Sequence, residues 1–123
     1  MICNNIYQTA LALIGEPNHS TGTADYEKRA PHLLGVIFHR LVRISEAITG
    51  TALDRTKLFI ASLDEEFPLD ERLFCAAALA LASLFVLDEL PELAAELDER
   101  ADAEAELAAR EAVSVTPTRE VYP

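Results

Sequence analysis

The sequence predicts an all-α fold, a small helical bundle of about four helices with an irregular arm (50–69) and an extended C-terminal tail. Three observations lead there. Apolar residues recur at helical spacing through most of the chain. The run from Leu73 to Leu87 is almost wholly apolar and holds nothing more polar than Ser83. Gly, Pro, Asn and Ser cluster between the helical stretches, where they favour turns over a hydrogen-bonded ladder. At 123 residues, the bundle over 1–112 forms one domain and 113–123 its tail, because two separate cores would each barely offset chain entropy.

The first helix is expected from Ile2 to Ile14, with Ile6, Ala10, Leu13 and Ile14 on one face and Gly15 as its stop. A loop over 15–24 follows. The second helix starts near Thr23 or Asp25, either of which can cap free amides, and continues to about Ile48 before Gly50. Its buried stripe is Leu34, Ile37, Phe38, Leu41 and either Ile44 or Ser45. Pro31 cannot donate a backbone hydrogen bond, so it predicts a kink or a start delayed to Pro31 itself. Between 50 and 69 the periodicity is lost, and Leu58–Leu63 suits a brief strand or an extended arm better than a helix.

The third helix runs from Leu69 or Asp70 to Asp88, with Asp70 and Glu71 favouring its N-terminal turn. Its apolar stretch is shorter than the roughly 20 residues that span a bilayer, so it reads as a central helix enclosed by protein. Alanines at 76, 77, 78, 80 and 82 let neighbours come close, while Leu73, Leu81, Leu84 and Phe85 fill the gaps. The fourth helix opens with Pro91, where a missing amide proton is harmless, and is expected to end near Ala112. Its apolar stripe comprises Leu93, Leu97, Ala101 and Ala108, with Leu90 and Leu107 as candidates beside it. Val113, Val115 and Val121 alternate with polar neighbours, and with Pro117 and Pro123 they suit an extended tail that adds to a partner.

Ten Lys and Arg against 21 Asp and Glu give a formal charge of -11, which argues against a general nucleic-acid binder. The charge is segregated. Lys28, Arg29, Arg40, Arg43, Arg55 and Lys57 lie between 25 and 57, whereas Asp88–Glu111 holds ten acids against Arg100 and Arg110. Either both are solvated helix faces, or they meet between copies in a heterologous contact of the kind that closes rings. Cys3 and Cys75 read as reduced packing thiols, Cys75 in apolar surroundings that blunt its reactivity. The opening residues Met1–Asn5 lack the pattern of a signal peptide, which predicts folding in a cytoplasm.

No catalytic residue, metal ligand or cofactor site is predicted. His19, His32 and His39 lack the close spacing of a zinc site, and the serines lack a nucleophile-elbow context. The four glycines are too widely spread to cradle a phosphate. Asp64, Glu65 and Glu66 with Asp70 and Glu71 are the best acid-base or magnesium candidates, against the plainer reading of a solvated loop and helix start.

Three blocks carry a family likeness: Ala10-Leu11-Ala12-Leu13-Ile14-Gly15-Glu16; Asp25-Tyr26-Glu27-Lys28-Arg29-Ala30-Pro31 with the apolar helix through Ile48; and Phe67-Pro68-Leu69-Asp70-Glu71-Arg72-Leu73, which runs into the alanine-leucine helix and Leu87-Asp88-Glu89-Leu90-Pro91-Glu92-Leu93-Ala94. In this order, over positions 10 to 100, the chain resembles the head-tail connector proteins of tailed bacteriophages and prophages, also called adaptor or head completion proteins. Its last helix is more acidic than that pattern.

The resemblance implies a non-enzymatic virion subunit at the head-tail junction, present in the host cytoplasm during assembly. Its partners would be the portal protein, neighbouring copies in a ring (a dodecamer being one size allowed) and the next tail or stopper protein. DNA would pass through the ring without sequence-specific binding, and a negative lumen suits that passage because it repels phosphates. Candidate interface residues are Arg55, Lys57, Leu58 and Phe59 of the arm, with Arg119, Val121 and Tyr122 of the tail. Arg and Tyr are enriched at interface centres.

Overall fold

The computed structural model describes residues 1–15, 23–56 and 60–121, with residues 23–24 and 113–121 as helical backbone only. Among these residues four α-helices, α1 (Cys3–Leu13), α2 (Thr23–Thr49), α3 (Phe74–Val86) and α4 (Pro91–Val121), follow one another, with one 3-10 turn at Glu71–Leu73. Among the described residues there is no strand, only a single antiparallel bridge between Ile2 and Glu66. The all-α bundle predicted from the sequence is therefore the fold.

α3 is the centre of the bundle, and α4 lies along it as its most extensive partner while α1 and α2 cover other sides. All five α3 alanines, from Ala76 to Ala82, are buried, together with Leu79, Leu81, Phe85 and Val86. α4 answers with small residues of its own, since Ala94, Ala101, Ala105 and Ala108 are buried around Leu97. Short side chains on both helices let the backbones approach closely, and the Ser83 hydroxyl uses that proximity to donate to the Ala94 carbonyl at 2.7 Å.

The start and stop residues act as the sequence predicts. Gly15 (φ 77°) and Gly50 (φ 73°) take left-handed conformations just past α1 and α2, where any other residue would be strained. The Asp70 carboxylate accepts the Arg72 N–H at 2.9 Å and caps the 3-10 turn that leads into α3. Pro91 occupies the first position of α4. α2 begins at Thr23 and continues through Pro31, so the alternative of a delayed start is not taken.

Several boundaries and faces differ from expectation. The buried face of α1 is Cys3, Ile6, Tyr7, Ala10 and Leu11, whereas Leu13 is exposed and Ile14 half-buried. Apolar residues lie on both sides of this short helix, and contact with α3 selects the side that carries Tyr7. In α2 the open choice between Ile44 and Ser45 resolves to Ser45, 1% exposed, beside buried Leu41 and Val42. Leu90, just before α4, and Leu107 within it are exposed, outside the buried stripe. Cys75 is exposed while Cys3 is buried, so only Cys3 is a packing thiol. Cys75 lies in the first turn of α3 and is exposed among the described residues.

α4 also passes its expected end at Ala112 and takes in residues 113–121 of the segment expected as a tail. No glycine stops the helix between Pro91 and Val121, and each added residue contributes one hydrogen bond except Pro117, which has no N–H to donate.

Candidate protein-interaction surfaces

The arm between α2 and the 3-10 turn is irregular in its described residues, and carboxylates fasten it at three places. At the end of α2, Glu46 accepts the Leu53 N–H at 2.8 Å and pairs with the Arg55 guanidinium. Those two donors, the backbone N–H foremost, hold the Glu46 carboxyl below its usual range. Further along, Glu65 accepts the N–H groups of Ala61 and Ser62 and closes a tight loop. Glu66 accepts from the amino group of Met1 at 2.7 Å, beside backbone bonds from Cys3 to Glu65, Asn4 to Leu63 and Phe67 to Met1. Ile60 and Phe67 anchor this segment in the core. Glu65 and Glu66, the carboxylates that an acid-base reading would use, are thus engaged in holding backbone and N-terminus.

α2 and α4 are clamped by Arg40, whose two terminal nitrogens each lie 2.7 Å from a carboxylate, one of Asp98 and one of Asp102. Part of the basic segment and part of the acidic helix therefore meet inside one chain. At the other end of the bundle Tyr26 stacks on Phe85 with ring centroids 4.6 Å apart, and Tyr7 meets Phe85 edge-on at 6.1 Å. The Arg29 guanidinium lies 5.8 Å from the Tyr26 ring, so one aromatic cluster joins α1, α2 and α3. Neither Arg40 nor this cluster stands out in the sequence as a pairing. The one available signal is the spacing of Asp98 and Asp102, four apart on a helix face and able to share one guanidinium.

Among the described residues a polar cleft and a more apolar groove open on the surface. The polar cleft of about 580 Å³ is bounded by α1, α2 and the arm, with Tyr7, Gln8, Glu27 and Asp64 in its wall. Burial raises the Tyr7 phenol above its ordinary pKa, and the nearby Glu27 carboxylate adds to that. The more apolar groove of about 390 Å³ lies at the corner between α3 and α4, formed by residues from Glu89 to Leu93. Leu90 in its wall and the preceding Leu87 are about half exposed. Among the described residues no group of three His, Cys, Asp or Glu side chains is arranged to hold a metal ion. No described helix is long and apolar enough to cross a membrane.

Of the predicted interface residues, Arg55 is exposed and paired with Glu46. Lys57, Leu58, Phe59 and Tyr122 lie outside the described residues, and Arg119 and Val121 are described only as helix. No family model, curated protein or solved structure matches the chain.

Proposed function

We propose that this chain is a structural subunit of the bacteriophage head-tail connector class, which joins the portal vertex, extends the DNA channel and docks the tail or stopper protein. The observation that carries the reading is the distribution of chemistry. α3 is enclosed by small-residue seams, the arm carboxylates are engaged in holding backbone, and the outer faces of α2 and α4 carry segregated charge. A wall that meets other proteins needs such a body: rigid inside, patterned outside. The three sequence blocks over positions 10 to 100 support the same class, and the net charge of -11 suits a channel that repels DNA phosphates.

A helical interaction or regulatory module is the second reading. It is favoured by the groove at the α3–α4 corner, where exposed Leu87 and Leu90 offer one partner segment an apolar seat. Genome context separates the two at once, because a connector gene is expected just downstream of portal, protease and major capsid genes. Deleting the gene from such a phage is expected to give DNA-filled heads and free tails in electron micrographs. Complete tailed particles from the deletion would overturn the connector reading.

A further inference from the structure

Among the described residues the outer face of α2 is exposed, with Lys28 and Arg43 unpaired and Asp25 on the same side paired to Arg29 at 3.2 Å. Leu34, Ile37 and Leu41 turn inward, so Lys28, His32, Val36 and Arg43 share the opposite, exposed side. Val36 is 60% exposed at its middle. The outer face of α4 is acidic: Glu92, Glu96, Glu99 and Ala103 are exposed on the side away from buried Leu97, Ala101 and Ala105. Lys28 and Arg43 make no ion pair among the described residues, and neither do Glu92, Glu96 and Glu99.

The spacings match. Val36 and Arg43 are seven residues apart on α2, and Glu96 and Ala103 are seven apart on α4, about 10 Å in each case. Laid antiparallel, Val36 seats on the small side chain of Ala103 while Arg43 reaches Glu96 and Glu99. We infer that the outer face of α2 in one copy docks on the outer face of α4 in a second copy. The inference rests on the connector reading only in taking the partner to be another copy. Two different faces meet, so the contact is heterologous and each copy can join two neighbours, as a ring requires. One helix-on-helix contact is smaller than the roughly 1,200 Å² of a standard interface, so a single pair binds weakly and closure of the ring adds avidity.

Charge reversal tests this directly, with sedimentation velocity as the readout and circular dichroism to check the fold. The wild type is expected to self-associate at high protein concentration. Arg43→Glu, and as a second variant Glu96→Lys with Glu99→Lys, are each expected to weaken association at least about tenfold. The second variant makes the chain less negative, so general repulsion alone predicts stronger association, the opposite result. An equimolar mixture of the two variants restores assembly, because each reversed face then meets its complement. A wild type that stays monomeric at its highest soluble concentration, or variants that associate as it does, would overturn the inference. Portal binding, measured on the same proteins, reports on the connector reading independently: a chain that docks through these faces and ignores the portal sinks that reading alone.

Discussion

Ser45 is the clearest case of a single residue tying distant segments together. Its hydroxyl accepts the Asp70 N–H at 3.0 Å, so the end of α2 positions the residue that caps the turn into α3. Ser45→Ala leaves that partly buried amide without its partner and is expected to lower stability by about 1 kcal/mol in urea denaturation. Leu81 is fully buried in α3, and Leu81→Ala is expected to cost about 2–5 kcal/mol in the same measurement. An unchanged midpoint would place α3 at the surface. Glu46 provides a pH test. Its folded pKa is depressed, so its contribution is complete above the ordinary carboxylate value and is lost as pH falls through the lowered one. Amide exchange over residues 51–56, corrected for intrinsic rate, should therefore accelerate in acid. In Glu46→Gln that dependence should disappear.

Among the elements, the α3–α4 seam depends on small residues, and Ala101→Leu is expected to overpack it at a cost of about 1–3 kcal/mol. Tolerance of the larger side chain would mean that the two helices stand further apart. Where the chain marks its elements locally, the sequence is legible: Gly15, Gly50 and Pro91 punctuate the helices, and the uninterrupted apolar run becomes α3. Faces were harder to read. α1 has apolar residues on two sides, and only its contact with α3 decides that Tyr7 goes in and Leu13 stays out. Leu107 is apolar yet exposed because the alanines beside it already fill the seam. Most of the candidate interaction chemistry was illegible for a different reason. The Arg40 clamp joins residues about sixty positions apart, and Glu46 grips a segment beyond a turn, so neither leaves a local pattern.

Across the whole molecule, the -11 charge and its segregation outweigh any single contact. A protein this acidic is expected to leave duplex DNA unshifted in a gel assay at physiological salt, as a channel wall should. Retarded DNA would remove the electrostatic support for the connector reading. The most direct measurement of the central claim is the mass of the complex formed when this chain is mixed with the portal oligomer encoded in the same genome, read by light scattering after size exclusion. The account predicts a portal-bound species carrying several copies of the chain in a fixed ratio to portal subunits. A chain that elutes alone beside an unshifted portal would contradict it.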